Sequence, residues 1–511
     1  MKVTISQINP KTLDFEYNFN LIEGKLKETD VDSLVIFPEL ALSGSPLYDA
    51  TKYIETSQES ILFAEKLSEE KKDFIFGLPI QQAGELLNSL AFIENGELKA
   101  LATKKNLSRF DKGFSSGEGL SLVEYKKQTI AFGFLEDLDD FLQKQDKSDL
   151  IICCSNILFT PETQKDLLTS LQPKIRKAHT PIILVNRSGA EGSYIYNGSS
   201  FFMLANGDLS KELPLFEEKN LQIDTQKADK YNQSPLCRIE KMYHASILGI
   251  KDYFRKNNIK KALLGLSGGI DSALVVVLAV EALGKDNVIG VLLPSEYSTS
   301  HSITDAKASA ENLGIEHLII PIKDTFSTAL TALSPIFEGR EPNVAEENLQ
   351  SRIRGMILMG IANKIGAAVL NTTNKSELSV GYGTLYGDTN GALGTIGDIF
   401  KTDVWEMSRW INRNKEIIPW NSITKAPSAE LRPDQKDTDS LPDYDVLDKV
   451  LYLYLEQNKS KEEIINQGID SQIVNKILRL VKINEWKRHQ VAPPLRMSNS
   501  ALGVERIMPI S

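Results

Sequence analysis

The chain has 511 residues, 41% hydrophobic and 25% charged, which suits two or three soluble globular domains. A net charge of −10, from 58 basic against 68 acidic residues, argues against nucleic acid or an anionic membrane as partner. No apolar stretch reaches membrane-spanning length, and MKVTISQINP reads as a strand rather than a signal peptide. Cys153, Cys154 and Cys237 form neither a metal-ligand spacing nor a disulfide framework, so a reducing cytoplasm is expected.

In chain order, short apolar segments first alternate with helical patterns: VDSLVIFPEL, DFIFGLPI, LAFIENGEL, TIAFGFLEDL, DLIICCSN, TPIILVNRSG and GSSFFMLANGDL. They predict the strands of a layered α/β fold. Cys153 and Cys154 lie within DLIICCSN, the setting of inert core thiols. A boundary is expected at residues 225–240, a polar stretch with a proline, giving domains 1–230 and 240–511. The second half opens with an amphipathic helix, KMYHASILGIKDYFRKNN. Strands LLGLS, DNVIGVLLP, HLIIPI and AAVLNTT follow, separated by helical stretches. That alternation predicts a doubly wound parallel sheet with its ligands at the carboxyl ends of the strands. From about residue 420 the chain turns polar and helical, as in a closing lid or subdomain.

The chemistry concentrates in Leu263–Ser272, LLGLSGGIDS. Gly268 and Gly269 let the backbone approach a ligand closely, and the helix start behind them offers N–H groups to an anion. Ser267 and Ser272 add hydroxyls, and Asp271 adds a carboxylate able to hold Mg²⁺ riding on phosphates. The lysine of a Walker loop is absent, so this is a different phosphate cradle. Downstream, a strand ends at Thr372-Thr373 before a helix carrying Glu377. Six glycines between Gly381 and Gly397 predict a loop wrapped around a ligand, which Lys401 closes with a cation suited to phosphate. Lys487, in the basic run Trp486–His489, adds another cation.

From about Tyr243 to Arg506 the chain resembles the synthetase domain of NAD synthetases. The matching blocks are GLSGGIDSA (265–273), EENLQSRIRG (346–355), NTTNKSELSVGYGTLYGD (371–388), KAPSAELRPDQKDTDSLPDYDVLD (425–448) and KRHQVAPP (487–494). The resemblance implies a pyrophosphate-loop fold of the adenine nucleotide alpha hydrolase-like type. It implies ATP on Ser267, Gly268, Gly269, Asp271, Ser272, Thr372 and Ser428, and Mg²⁺ on Asp271 and Glu377. It places deamido-NAD near Asn348, Glu377 and Lys487, makes Asp271 and Lys401 catalytic, and implies a homo-oligomer. Asn348 also reads as a polar helix residue, Ser428 as an N-cap, and Arg352 and Arg354 as solvated helix charges outside the site.

The first half resembles the nitrilase-like, carbon–nitrogen hydrolase domain, an α/β/β/α sandwich, through VIFPELALSG (35–44) and its strands. In glutamine-dependent NAD synthetases that domain cuts glutamine with a Glu base, a Lys and a Cys nucleophile. The resemblance places the base at Glu39 and the lysine at Lys104, but Leu135 stands ahead of Glu136-Asp137 where the cysteine belongs. A leucine has no lone pair with which to attack a carbonyl. The segment LSRFDKGF is shortened, and Ile157 replaces a glutamine-binding serine in SNILFTP. Glu39 and Lys104 then read as a surviving buried ion pair.

The expected function is ATP-dependent amidation of deamido-NAD by ammonia, free or supplied by another protein, beside a retired glutaminase. The alternatives are a working glutamine-dependent NAD synthetase with an unconventional nucleophile, or another adenylating ligase of the pyrophosphate-loop type.

Overall fold

The structure, a computed structural model, describes residues 1–227, 231, 236–433 and 435–510. It divides into two units, Met1–Pro235 and Leu236–Ser511. The segment expected as the boundary, 225–240, lies partly outside the described residues.

In the first unit, alternation along each strand sends neighbouring side chains to different cores. In Gln128–Phe134 the residues Ile130, Phe132 and Phe134 enter a central core, while Ala131 faces the opposite way. In Leu150–Ser155 the residues Ile152 and Cys154 go inward, and Ile151 and Cys153 outward. The central core is closed by two six-stranded sheets. The helices Phe15–Lys27 and Ile54–Ser68 cover the outer face of one sheet, Leu138–Lys144 and Thr163–Ala178 that of the other. This is the α/β/β/α sandwich expected. LAFIENGEL is two strands rather than one: Glu85–Glu94 and Glu97–Thr103 form a hairpin turning at Asn95-Gly96, both at positive φ. Asn-Gly is the usual signature of such a turn.

The second unit carries a five-stranded parallel sheet in the order Glu316–Ile319, Val288–Leu292, Lys261–Gly265, Ala367–Asn371, Leu393–Gly394. The chain starts at the middle strand, runs out along one flank and returns on the other. That reversal opens a crevice at the carboxyl ends of Lys261–Gly265 and Ala367–Asn371. The Ile270–Leu283 helix is apolar on nearly every side and is buried accordingly. Beyond residue 420, the helices Tyr444–Leu451 and Ser471–Ile483 enclose an apolar core that also takes in Leu378, Val380 and Phe400. This core buttresses the short Lys375–Val380 helix. Among the described residues no helix is long and apolar enough to cross a membrane.

Candidate active site

The loop after strand Lys261–Gly265 is shaped by Gly268, at φ +81°. A Cβ there would lie 2.2 Å from the Ser302 carbonyl oxygen, in the first turn of the Ser300–Leu313 helix, so only glycine allows this approach. Gly269 then caps the Ile270–Leu283 helix. The Ser267 and Ser272 hydroxyls lie 3.1 Å apart, Gly269 N–H donates to Ser267 Oγ at 3.2 Å, and Ser272 Oγ donates to the Gly269 carbonyl at 3.0 Å. The loop is thus held in shape by its own side chains, and it lines a cavity shared with Thr372, Glu377, Lys401 and Ser428.

At the cavity's edge three charged groups meet. Asn374 N-caps the Lys375–Val380 helix through a capping box with Glu377, and its Nδ2 donates to Asp271 Oδ1 at 3.0 Å. Lys401 Nζ donates to Asp271 Oδ2 and lies 3.7 Å from Glu377 Oε1. Lys401 is only 1% exposed. The expected phosphate cation is therefore already committed to two carboxylates. Burial, with the charge of Asp271 added, pushes Glu377 up to about 8 despite Lys401. Burial works against the charge on Lys401, yet Asp271 and Glu377 hold its ammonium above the ordinary lysine value. Among the described residues no group of three or more His, Cys, Asp or Glu could hold a metal. The pair Asp271 and Glu377 nonetheless fits Mg²⁺, which binds through one or two carboxylates and takes its other oxygens from phosphates and water. The repulsion from Asp271 that adds to burial in raising Glu377 is what such a cation relieves.

Two sequence readings change, for Ser428 and Arg354, and two residues linked to deamido-NAD lie outside this cavity. Ser428 is no N-cap: it sits in a loop, donating to the Gln435 carbonyl at 2.5 Å and accepting from Glu430 N–H at 3.2 Å. Asn348 does not line the cavity; its Oδ1 accepts from Thr384 Oγ1 at 2.7 Å. Nor does Lys487, whose Nζ donates to the carbonyls of Gly381 and Gly383 at 2.9 and 3.0 Å. Both are hydrogen-bonded to the glycine-rich loop. Arg354 is not a solvated helix charge but part of the cavity wall, partly buried, with Nε donating to the Leu293 carbonyl at 3.0 Å. The signal was periodic: Ser351, Arg354, Gly355 and Leu358 share one face of the Val344–Ile365 helix, and all four line the cavity. Arg352 is exposed, as read from the sequence.

In the first unit, Lys104 Nζ donates to Glu39 Oε1 at 2.9 Å and Glu136 Oε1 at 3.1 Å, and lies 3.1 Å from Asp111 Oδ2. Asn88 Nδ2 donates to Glu39 Oε1 at 2.6 Å and to Asp111 Oδ1 at 3.0 Å. The expected ion pair is thus one ammonium among three carboxylates, and the sequence reading missed Asn88 and Asp111. Burial works against the charge of Lys104, but Glu39, Glu136 and Asp111 together raise it above the ordinary value. Leu135 opens the turn Leu135–Asp137 at the end of strand Gln128–Phe134. Its side chain packs with Leu120 and Ile157 against the core that holds Cys153. Cys153 and Cys154 are fully buried, burial pushes both thiols up, and Cys154 Sγ donates to the Phe37 carbonyl at 3.2 Å. Neither supplies a thiolate.

Burial also lifts Glu39 from 4.5 to about 7 against the pull of Lys104. A carboxyl raised in the folded state holds its proton there while the unfolded chain has lost it. Its contribution to stability is therefore greatest below pH 4.5 and disappears as pH rises through about 7. Denaturant unfolding across that window is expected to show a steeper loss of stability with pH in the parent protein than in Glu39→Gln; equal slopes would mean that Glu39 is not so perturbed.

Against known proteins, the family model described as NAD synthase matches residues 215–491. The glutamine-dependent NAD(+) synthetase of Synechocystis sp. is 40% identical, over 94% of this chain and 92% of its own. That of Thermotoga maritima is 36% identical, over 100% and 98%. Among solved structures, glutamine-dependent NAD+ synthetase from Acinetobacter baumannii, in complex with adenosine diphosphate, aligns over 100% of this chain and 98% of its own. Its TM-score is 0.80 at 31% identity. The fold likeness extends to the glutamine-dependent NAD(+) synthetase from Cytophaga hutchinsonii, with a TM-score of 0.86 at 20% identity over 100% and 97% of the chains.

Proposed function

The chain belongs to the NAD synthase family, ligases that amidate with ATP, and on that premise we propose that it converts deamido-NAD to NAD with ammonia as the nitrogen source. The nicotinate carboxylate is a poor acyl donor because its oxygen leaves badly. In this reading that oxygen attacks the α-phosphorus of ATP, the bond to pyrophosphate breaks, and an acyl adenylate forms. Ammonia then adds to the activated carbonyl, a proton is lost, and AMP departs as the amide forms. The loop of Ser267, Gly268, Gly269 and Ser272 supports the leaving pyrophosphate with N–H and O–H donors. Thr372, Ser428 and Arg354 face the same cavity and suit the rest of the nucleotide. Lys401, fixed by Asp271 and Glu377, keeps a positive charge beside the reacting phosphate. Asp271 and Glu377 are the residues to hold Mg²⁺, which supplies charge neutralisation on the phosphates when bound. No covalent intermediate on the protein is required, so positioning and electrostatics carry the rate.

The observation behind ammonia is Leu135. The Glu39–Lys104–Glu136 cluster is present in the first unit, and the residue ahead of Glu136-Asp137, where the resemblance expects the cysteine, is aliphatic, which supports ammonia as the nitrogen source. A second reading has an observation of its own: the Synechocystis and Thermotoga relatives that match this chain nearly end to end are both named glutamine-dependent. Purified protein with ATP, Mg²⁺ and deamido-NAD separates the two. NAD formation with ammonium and none with ammonia-free glutamine is the expected outcome. Equal or better turnover with glutamine would overturn the ammonia reading and require another nucleophile.

A further inference from the structure

We propose that Asp448 is a positioning residue that locks the starts of two helices together and so holds Lys401 against Asp271 and Glu377. Asp448 lies on the Tyr444–Leu451 helix, is 5% exposed, and is 72 residues away in sequence from the site it serves. One carboxylate oxygen accepts from the Ser376 hydroxyl, in the first turn of the Lys375–Val380 helix. The other accepts from Thr402 N–H at 2.9 Å, in the first turn of the Lys401–Ile411 helix. The bracket closes on itself, because Ser376 Oγ also accepts from Lys401 N–H at 2.9 Å. A single carboxylate therefore takes a side-chain hydroxyl from the first turn of one helix and, from the first turn of the other, a backbone N–H that a helix cannot satisfy internally.

The surroundings allow little slack. Lys375, one residue earlier, is completely buried, 2.7 Å from Asp398 and bonded to Glu456. Glu377, one residue later, faces Lys401 and Asp271. Three successive side chains of one helical turn are thus each tied to a different partner. Asp448 supplies the tie that links this turn to the backbone carrying Lys401. Catalysis that rests on placement is sensitive to such links: a shift of about 1 Å can cost about 10²-fold in rate.

The inference rests on the proposed function, and the experiment keeps the two apart. NAD synthesis with ammonium is measured for the parent, Asp448→Asn, Ser376→Ala and the double variant, with folding checked by circular dichroism and thermal unfolding. Asparagine offers one acceptor oxygen where aspartate offers two, so either Ser376 O–H or Thr402 N–H loses its partner. Each single variant is expected to lower kcat by roughly 10- to 100-fold with little change in the KM for ATP. The double variant is expected to be no slower than the slower single variant, since both remove one bracket. Parental kcat in both folded single variants, or losses that multiply in the double, would overturn the proposal. If Asp448→Asn does not fold, Ser376→Ala decides alone: lowered kcat in folded protein supports the bracket, and parental kcat overturns it. A parent that makes no NAD would instead refute the proposed function.

Discussion

Replacing Asp271 with asparagine is expected to cut ammonium-driven NAD formation by about 10³-fold. The substitution keeps volume and shape but removes the charge around which the site is built. Lys401 donates to one oxygen of Asp271 and Asn374 to the other, so the asparagine amide can accept from only one of them. The other donor meets an N–H₂ group. Lys401 would keep Glu377, 3.7 Å away, as its remaining carboxylate. One of the two carboxylates suited to Mg²⁺ would also be gone. In the proposed reaction ammonia enters only after adenylation, so raising its concentration would not bypass the lesion. Steady-state turnover of the folded variant is the check, and near-parental activity would remove Asp271 from the chemistry.

Lys104→Met is expected to destabilise the first unit by about 3 kcal/mol while ammonium-driven turnover of the folded protein stays unchanged. Lys104 is 2% exposed, with three carboxylates drawn in around it. Removing the one cation leaves buried like charges facing each other. Glu39, already at about 7, would relieve part of that by taking a proton, which keeps the cost moderate. Denaturant unfolding measures the loss, and the ammonium assay measures the turnover. A stable variant with greatly reduced turnover would mean that this cluster still takes part in the reaction.

The parts of the molecule legible in the sequence are those whose partners lie close along the chain. The Ser267–Ser272 loop is a strand end, a turn and a helix start within ten residues, and its internal hydrogen bonds span five residues or fewer. The strands were legible because alternation and apolar runs report burial on one face or both. What sequence reading missed depends on distant contacts. Asp448 meets Ser376 across 72 residues, and Asn88 meets Glu39 across 49. Asn348 and Lys487 are linked to deamido-NAD by the family resemblance. Their bonds to Thr384 and to two loop carbonyls are what no local pattern announces. Arg354 differs, since its helical spacing from Ser351 and Leu358 is a local signal that places it on the cavity face.

Oxidants and alkylating agents attack thiolates, and this chain offers them little. Cys153 and Cys154 are sealed in the sandwich with their protons held on, which leaves Cys237 as the exposed thiol. An amidotransferase that draws nitrogen through a cysteine stops when peroxide reaches that sulfur. On the proposed ammonia reading, with Leu135 in its place, supply of the amide would be insensitive to that damage and would depend on the ambient ammonium concentration instead. On that proposal, the exchange would turn a redox vulnerability into a nutritional one.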